Sequence, residues 1–288
     1  MYKCRLCSSK NIILKHRFNT FELGCCRKCG FVQVLQKPTI ESLSEMYSGE
    51  YFNRGKYIES NKAINFENKR RLFWLKKSGL KKGARILDVG CATGDFINMA
   101  KRYFDMWGLD ISEFAVKEAR LKNPDIFQKI KKGMIEELSF PADFFDCIVM
   151  WDVIEHLWDP VGVISKLVKI LKPGGVLAVS TPNINTATAR LMGKSWHFMI
   201  IPEHLSFFNK STLNYLFETA GLIPLKWMTR GKWVNFGFLL YKIKKAFPKL
   251  LPSSLIHWVQ QKHIIANLAL YVPTGDIQYA SAIRRDKK

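Results

Sequence analysis

Residues 85 to 96, Arg85-Ile86-Leu87-Asp88-Val89-Gly90-Cys91-Ala92-Thr93-Gly94-Asp95-Phe96, restrict the fold more than any other stretch of the chain. Ile86 to Val89 suit a buried strand. Gly90 and Gly94 let the backbone turn tightly against a ligand, and Asp95 to Phe104 can form the helix that follows. This is the strand-turn-helix of a nucleotide-binding α/β sheet. The dinucleotide fingerprint G-x-G-x-x-G fits poorly, because the corresponding positions are Gly90, Ala92 and Asp95. The Asp95 carboxylate also stands where the helix opening would meet a diphosphate, and its charge repels one. A second strand, Met106 to Asp110, ends on a carboxylate that can accept hydrogen bonds from both hydroxyls of a ribose. The pattern therefore suits a nucleoside that carries no phosphates.

Asp88-Val89-Gly90-x-x-x-Gly94 followed by Gly108-Leu109-Asp110 resembles the signature of class I S-adenosylmethionine-dependent methyltransferases. Phe145 to Leu157 resembles that family's fourth strand and the turn after it, and Leu171-Lys172-Pro173-Gly174-Gly175 resembles its turn into the fifth. The resemblance implies an α/β fold, a Rossmann-like doubly wound sheet of seven strands with the last antiparallel, and S-adenosylmethionine as cofactor. It also implies roles. Asp110 takes the ribose, with Ile111 beside it, and the turn from Asp88 through Gly90, Cys91 and Ala92 to Gly94 cradles the methionine part. Met134 and Ile135 sandwich the adenine, and Trp151 and Asp152 lie by the methionine moiety. Asp152 equally suits a helix N-cap for the next segment. One departure stands out: the acidic residue that often follows the strand-three glycine is replaced by Met134 after Gly133.

Five of the seven cysteines fall in the first 29 residues. Cys4-x-x-Cys7 and Cys26-x-x-Cys29 have the spacing of a four-thiolate zinc ribbon, in which two tight turns present sulfurs to one structural zinc ion. Metal is preferred to disulfide because an intracellular chain stays reduced. Cys25 breaks the two-residue spacing and is read as a spectator, while Cys91 and Cys147 read as small core residues.

These signals divide the chain into a zinc-ribbon-like module at 1–37, a helical linker or lid at 38–79 and a methyltransferase domain at 80–288. Helices are expected at Thr39 to Tyr51 and about Asn65 to Ser78, then strands near 85, 106, 127, 146 and 176 alternating with helices near 95, 113 and 161. Tyr47, Tyr51 and Phe52 either close over the cofactor or pack the ribbon onto the main domain. A helix from Ser211 to Ala220 stops at Gly221, and strand six (Ile223 to Thr229) pairs with a closing strand (Ile277 to Arg284). Between these strands lies a basic insertion at about 231–274. It carries Phe236, Leu239, Leu240, Ile243, Phe247 and Leu250 at helical spacing, with Lys242, Lys244, Lys245 and Lys249 on other faces. Such a helix serves as a lid, as a dimer face or as a contact with an anionic membrane surface.

In-line methyl transfer needs orientation first, and a base only where the acceptor must lose a proton. His204 after strand five is the preferred base, then His156 after strand four, with His197 third. The longest apolar runs, around Trp233 to Tyr241 and Ile264 to Val272, are too short to span a bilayer, and no cleavable leader opens the sequence, so a cytoplasmic protein is expected, with peripheral membrane contact as a further option. The acceptor is read as a small molecule or glycoconjugate, methylated at oxygen, with a lipid-linked acceptor suited to the insertion. Lys and Arg number 45 against 24 Asp and Glu, a formal charge of +21, so an RNA methyltransferase that grips RNA with its basic surface and ribbon is the second reading. Oligomeric state is not legible in the sequence.

Overall fold

A computed structural model describes residues 2–39, 61–135, 137, 139–246 and 252–285. The expected helix at Thr39 to Tyr51 and the aromatics Tyr47, Tyr51 and Phe52 lie outside the described residues, apart from Thr39. The N-terminal module contributes β1 (Ile12–Phe18), β2 (Phe21–Cys26) and β3 (Val32–Val34). After α1 (Asn61–Lys76) come β4 (Arg85–Val89), α2 (Asp95–Ala100), β5 (Asp105–Asp110), α3 (Glu113–Lys122), β6 (Ile130–Lys132), β7 (Phe145–Trp151), α4 (Pro160–Ile170) and β8 (Leu171–Pro182). The chain continues through α5 (Ala187–Met192), β9 (Ser206–Phe207), α6 (Lys210–Thr219) and β10 (Leu222–Asn235). It closes with α7 (Phe236–Ala246), α8 (Ser253–Gln261), the short α9 (His263–Ala266) and β11 (Ala269–Arg284).

The main sheet has seven strands in the order β10-β11-β8-β7-β4-β5-β6. β8, β7, β4, β5 and β6 run parallel, and β11 is antiparallel to both of its neighbours, as the resemblance implies. A parallel sheet needs apolar residues on both faces of its strands, and β4 supplies them: Ile86 joins one buried cluster and Leu87 the other. Helix starts follow their side chains. Asp159 accepts a hydrogen bond from the Gly162 amide at 2.9 Å ahead of α4, and Asn209 and Thr212 form a reciprocal capping box at α6.

Three boundaries differ from the sequence reading. The strand expected near 127 begins at Ile130, because Pro124 opens a 3₁₀ turn that runs to Lys129 and takes Phe127 with it. The helix expected at about Asn65 to Ser78 spans Asn61–Lys76 among the described residues, with the Ser78 hydroxyl donating to the Trp74 carbonyl at 3.0 Å. The third difference is the largest: β10 and β11 continue beyond Thr229 and begin before Ile277, pairing Lys232 to Asn235 with Ala269 to Val272. Aromatic and β-branched residues in both arms favour this longer ladder. The inserted helices therefore begin at Phe236 rather than near 231, and their own small core is Leu240, Ile256 and Val259. Phe247, Lys249 and Leu250 lie outside the described residues.

The N-terminal sheet has the order β1-β2-β3-β9, so its fourth strand comes from residues 206–207, far along the chain. Leu23, Val32, Val34, Trp196, Leu205 and Phe207 share one core. The ribbon and the segment after β8 are thus packed as a single layer.

Candidate functional site

The carboxyl ends of β4, β5, β6 and β7 bring Gly90, Asp110, Gly133 and Asp152 to one edge of the sheet, the edge where ligands of open α/β sheets bind. At the first turn Gly90 has φ +73°, and a Cβ there would lie 2.4 Å from Val153 Cγ2. Only glycine keeps this backbone beside Val153. Ala92 also adopts positive φ, +46°, and its amide donates to Asp110 Oδ2 at 2.9 Å, while the Ser112 amide donates to Oδ1 at 2.9 Å. Asp110 is therefore fixed to both the turn and the start of α3. Burial raises its pKa, and the backbone amides of Ser112, Ala92 and Ile111 partly oppose the rise.

Asp88 is buried with Oδ1 unpartnered, and burial pushes its carboxyl up to about 8 although Arg71 works against the shift. Cys91 is buried in the turn, and Gly94 opens α2. Asp95 is engaged by Thr93 at 2.7 Å and by Lys122 at 2.9 Å. Two apolar side chains stay exposed along the edge, Ile111 at 42% and Met134 at 45%, while Ile135 is buried. Trp151 is placed differently from its neighbours on the edge. Its indole packs edge-on against Trp74 and Phe96 and lies against Tyr279, so the ring belongs to the core.

Asp152 does not cap a helix. Its Oδ2 accepts from Arg71 Nη2 at 2.7 Å and its Oδ1 from the Ser180 hydroxyl at 2.8 Å; the caps of the next two helices are Val153 and Asp159. Burial pushes this carboxyl up, but Arg71, Lys232 and Ser180 outweigh it and hold the pKa below its usual value. Arg71 reaches the site from α1, a partnership between residues 81 positions apart that no local pattern announces.

His156 and His204 lie together, with ring centres 4.9 Å apart, although 48 positions separate them in the chain. His156 Nδ1 is 2.9 Å from the Glu203 carbonyl, and His204 Nδ1 is 2.7 Å from the Phe198 carbonyl. A carbonyl oxygen only accepts, so each Nδ1 carries the hydrogen and each Nε2 keeps its lone pair. Burial lowers the pKa of both rings, and for His204, which also faces His156, it falls well below the ordinary histidine value. Glu155 completes the group: one ligand-type atom from each of the three residues lies within 4.8 Å of the others. Its Oε2 is buried and unpartnered, and burial followed by the charge of Asp152 raises its carboxyl to about 8. Glu155 was adjacent to a chosen histidine in the sequence, but only the fold shows it turned inward. His197 stands apart from this pair, with Nε2 3.6 Å from Asp276 Oδ2.

At the other end of the chain, Cys4 and Cys29 Sγ lie 3.6 Å apart, as do those of Cys7 and Cys26, and all four sulfurs fall within 4.8 Å of one another. A tetrahedron with metal–sulfur bonds of about 2.3 Å has sulfurs about 3.8 Å apart, so the four thiols fit one zinc ion. Cys25 points elsewhere, its Sγ 3.9 Å from the Gly30 carbonyl.

A family model described as a methyltransferase domain matches residues 57–225. A protein of Mycolicibacterium smegmatis named "Probable S-adenosylmethionine-dependent methyltransferase" is 36% identical over 143 residues, which cover 48% of this chain and 52% of the relative. The chain thus spans about half the length of that relative. A ubiquinone biosynthesis O-methyltransferase of Dechloromonas aromatica is 32% identical over 174 residues, covering 57% of this chain and 75% of the relative. Among solved structures, a SAM dependent methyltransferase from Archaeoglobus fulgidus aligns with TM-score 0.55 at 21% identity, covering 82% of this chain and 100% of that one.

Proposed function

The chain belongs to the class I S-adenosylmethionine-dependent methyltransferases, and from that premise we propose that it moves a methyl group to a hydroxyl oxygen of a small molecule or glycoconjugate. The observation that carries this reading is the histidine pair. Two neutral imidazoles with ring centres 4.9 Å apart and their Nδ1 atoms committed to carbonyls leave the Nε2 lone pairs available, which suits an acceptor that must give up a proton. The oxygen assignment draws support from the O-methyltransferase named above. The glycoconjugate assignment draws on the resemblance of the cysteine-pair leader and of Pro202-Glu203-His204-Leu205 to enzymes of sugar and polysaccharide pathways.

When bound, the cofactor supplies a sulfonium methyl group open to in-line attack. The protein's work is to hold the donors and acceptors of protons around it. Asp110 receives the ribose hydroxyls, the turn from Asp88 to Gly94 through Cys91 and Ala92 accepts the methionine part, and Ile111, Met134 and Ile135 flank the adenine. Asp152, steadied by Arg71, stands at the methionine end. His204 Nε2 takes the acceptor proton, and His156, whose ring centre lies 4.9 Å from that of His204, orients the hydroxyl. Zinc at Cys4, Cys7, Cys26 and Cys29 has a structural role.

Methyl-labelled cofactor incubated with separate lipid, glycan, RNA and metabolite extracts identifies the acceptor by the fraction that becomes labelled. A labelled glycan or metabolite fraction supports the proposal. A labelled lipid fraction supports a lipid-linked acceptor presented at an anionic membrane, for which the inserted helices expose Leu255, Trp258 and Ile264. No helix among the described residues is long and apolar enough to cross a membrane. The formal charge of +21 favours one alternative, an RNA acceptor, and exclusive labelling of RNA would replace the first reading with it. With the acceptor in hand, His204→Ala is expected to lower turnover about 10²-fold or more; unchanged turnover at saturating acceptor removes His204 from the role of base.

A further inference from the structure

Arg5 lies between the first two cysteines, yet its side chain serves the other end of the molecule. Its Nη1 donates to the Val34 carbonyl at 3.0 Å and its Nη2 to the Leu205 carbonyl at 2.6 Å. The guanidinium carbon sits 3.8 Å from the centre of the Trp158 ring. The Arg5 amide donates to Gln33 Oε1 at 2.9 Å, and Gln33 Nε2 returns to the Lys3 carbonyl at 2.9 Å. This fixes the turn from which the arginine departs.

Leu205 follows His204, and Trp158 comes two residues after His156. The two segments that carry the histidines are already tied by their backbones: the Leu205 amide donates to the Glu155 carbonyl at 2.8 Å, and the Ser206 hydroxyl donates to the Leu157 carbonyl at 3.0 Å. Arg5 closes the remaining side of this frame, with its flat face on one segment and one arm of its fork on the other.

We infer that Arg5 is a positioning residue for the acceptor site, clamping the His156 and His204 segments together and making the four-cysteine turn part of the site's wall. The inference deepens the reading of His204 and His156 as the acceptor's proton-handling pair, and it rests on that reading. A planar guanidinium can stack on an indole while donating in two directions, which a lysine ammonium cannot reproduce. Leu205 keeps a second donor, the Val34 amide at 2.9 Å, so the strand pairing survives loss of the clamp. The effect expected is misplacement of the rings rather than unfolding.

The test compares the full-length protein with Arg5→Lys and Arg5→Gln, each loaded with cobalt(II) in place of zinc. Cobalt absorption reports the thiolate site, calorimetry reports S-adenosylmethionine affinity, and side-chain ¹⁵N spectra of the histidines, assigned with His204→Gln and His156→Gln, report the rings across pH. The expected result is a thiolate spectrum like the parent's, cofactor affinity within about twofold, and titration midpoints of both imidazoles moved by about half a unit or more as their carbonyl partners and neighbours shift. Histidine titrations identical to the parent's overturn the inference. So does loss of the cobalt spectrum and of cofactor affinity in both variants, which makes Arg5 a residue of the general fold. The ring titrations judge the clamp without an acceptor, whereas turnover of His204→Ala judges the base, so either idea can fail alone.

Discussion

At the scale of single residues, the cofactor turn depends on Gly90 for two separable reasons. Its φ of +73° disfavours any side chain, and the 2.4 Å approach to Val153 Cγ2 leaves no room for one. Gly90→Ala forces the turn to move, at a strain cost of about 1–3 kcal/mol, and where that cost falls on the bound form, cofactor affinity weakens by about 5- to 150-fold in titration calorimetry. Asp88 makes a different prediction, because its native carboxyl titrates at about 8 and an unfolded one near the ordinary value of about 4. Between those values the folded protein holds a proton that the unfolded chain has released, so this group makes stability fall as pH rises. Asp88→Asn removes the dependence, and the variant should gain more over the parent at pH 8 than at pH 5 in urea unfolding; an equal difference at both would show that Asp88 does not titrate in this window. Gly90, Gly94 and Asp110 could be picked out in the sequence because they stand at or just after strand ends, and His156 and His204 because they follow strands four and five in a recognisable family pattern. Arg71, Ser180, Glu155 and Arg5 were not, since their importance comes from partners that only the fold brings near.

At the scale of elements, α1 is the piece whose sequence says least about its work. Glu67 Oε1 accepts from the Trp233 amide at 2.9 Å, Tyr279 reaches Glu67 Oε2 at 3.2 Å, and Arg70 Nη1 donates to the Gly231 carbonyl at 3.0 Å, so one helix face is stitched to both arms of the β10–β11 hairpin. Arg71, one residue on, turns to Asp152. Arg71→Met removes the cation and leaves the carboxylate facing a largely buried space. The expected loss is about 1–3 kcal/mol, less than for a fully buried pair because 30% of the Asp152 side chain still meets solvent. The sign with pH is fixed by the lowered Asp152 pKa: the pair's contribution is complete above about 4 and disappears as pH falls through the lower native value. Parent and variant should therefore converge in stability toward acid, and an unfolding difference that stays constant from pH 7 to pH 3 would refute the ion-pair origin. The strand and helix alternation was readable from hydrophobic period and caps, but the hairpin's extra length was not. Lys232 and Trp233 read as insertion, and only pairing with Val272 and Tyr271 makes them strand.

At the scale of the whole molecule, two sheets share a boundary, and the residues at that boundary decide whether the N-terminal module can act on the catalytic domain. β3 pairs with β9 through Val32 to Phe207 and Gln33 to Ser206, and Phe31 packs 5.1 Å from Phe208, which leads into α6. The module's own strands are short, and on the proposal that Cys4, Cys7, Cys26 and Cys29 hold zinc, such a small unit would draw much of its folding energy from the ion. Removing that ion should therefore loosen a surface that runs from the cysteine turns across β3 to Leu205 and His204, while the parallel strands keep the core around Ile86, Met106 and Val149, to which no described residue of the module contributes. Hydrogen exchange after chelation tests this directly. The amides of Val34 and Leu205, bonded to the Leu205 and Glu155 carbonyls at 2.9 and 2.8 Å, should lose protection together, whereas the Gly90 amide, bonded to Leu109 at 2.7 Å, should keep it. Loss confined to residues before Val32 would mean that the module folds and unfolds on its own and has no hold on His204. Loss throughout the seven-stranded sheet would mean that the ion sustains the entire fold, leaving the boundary without a special role.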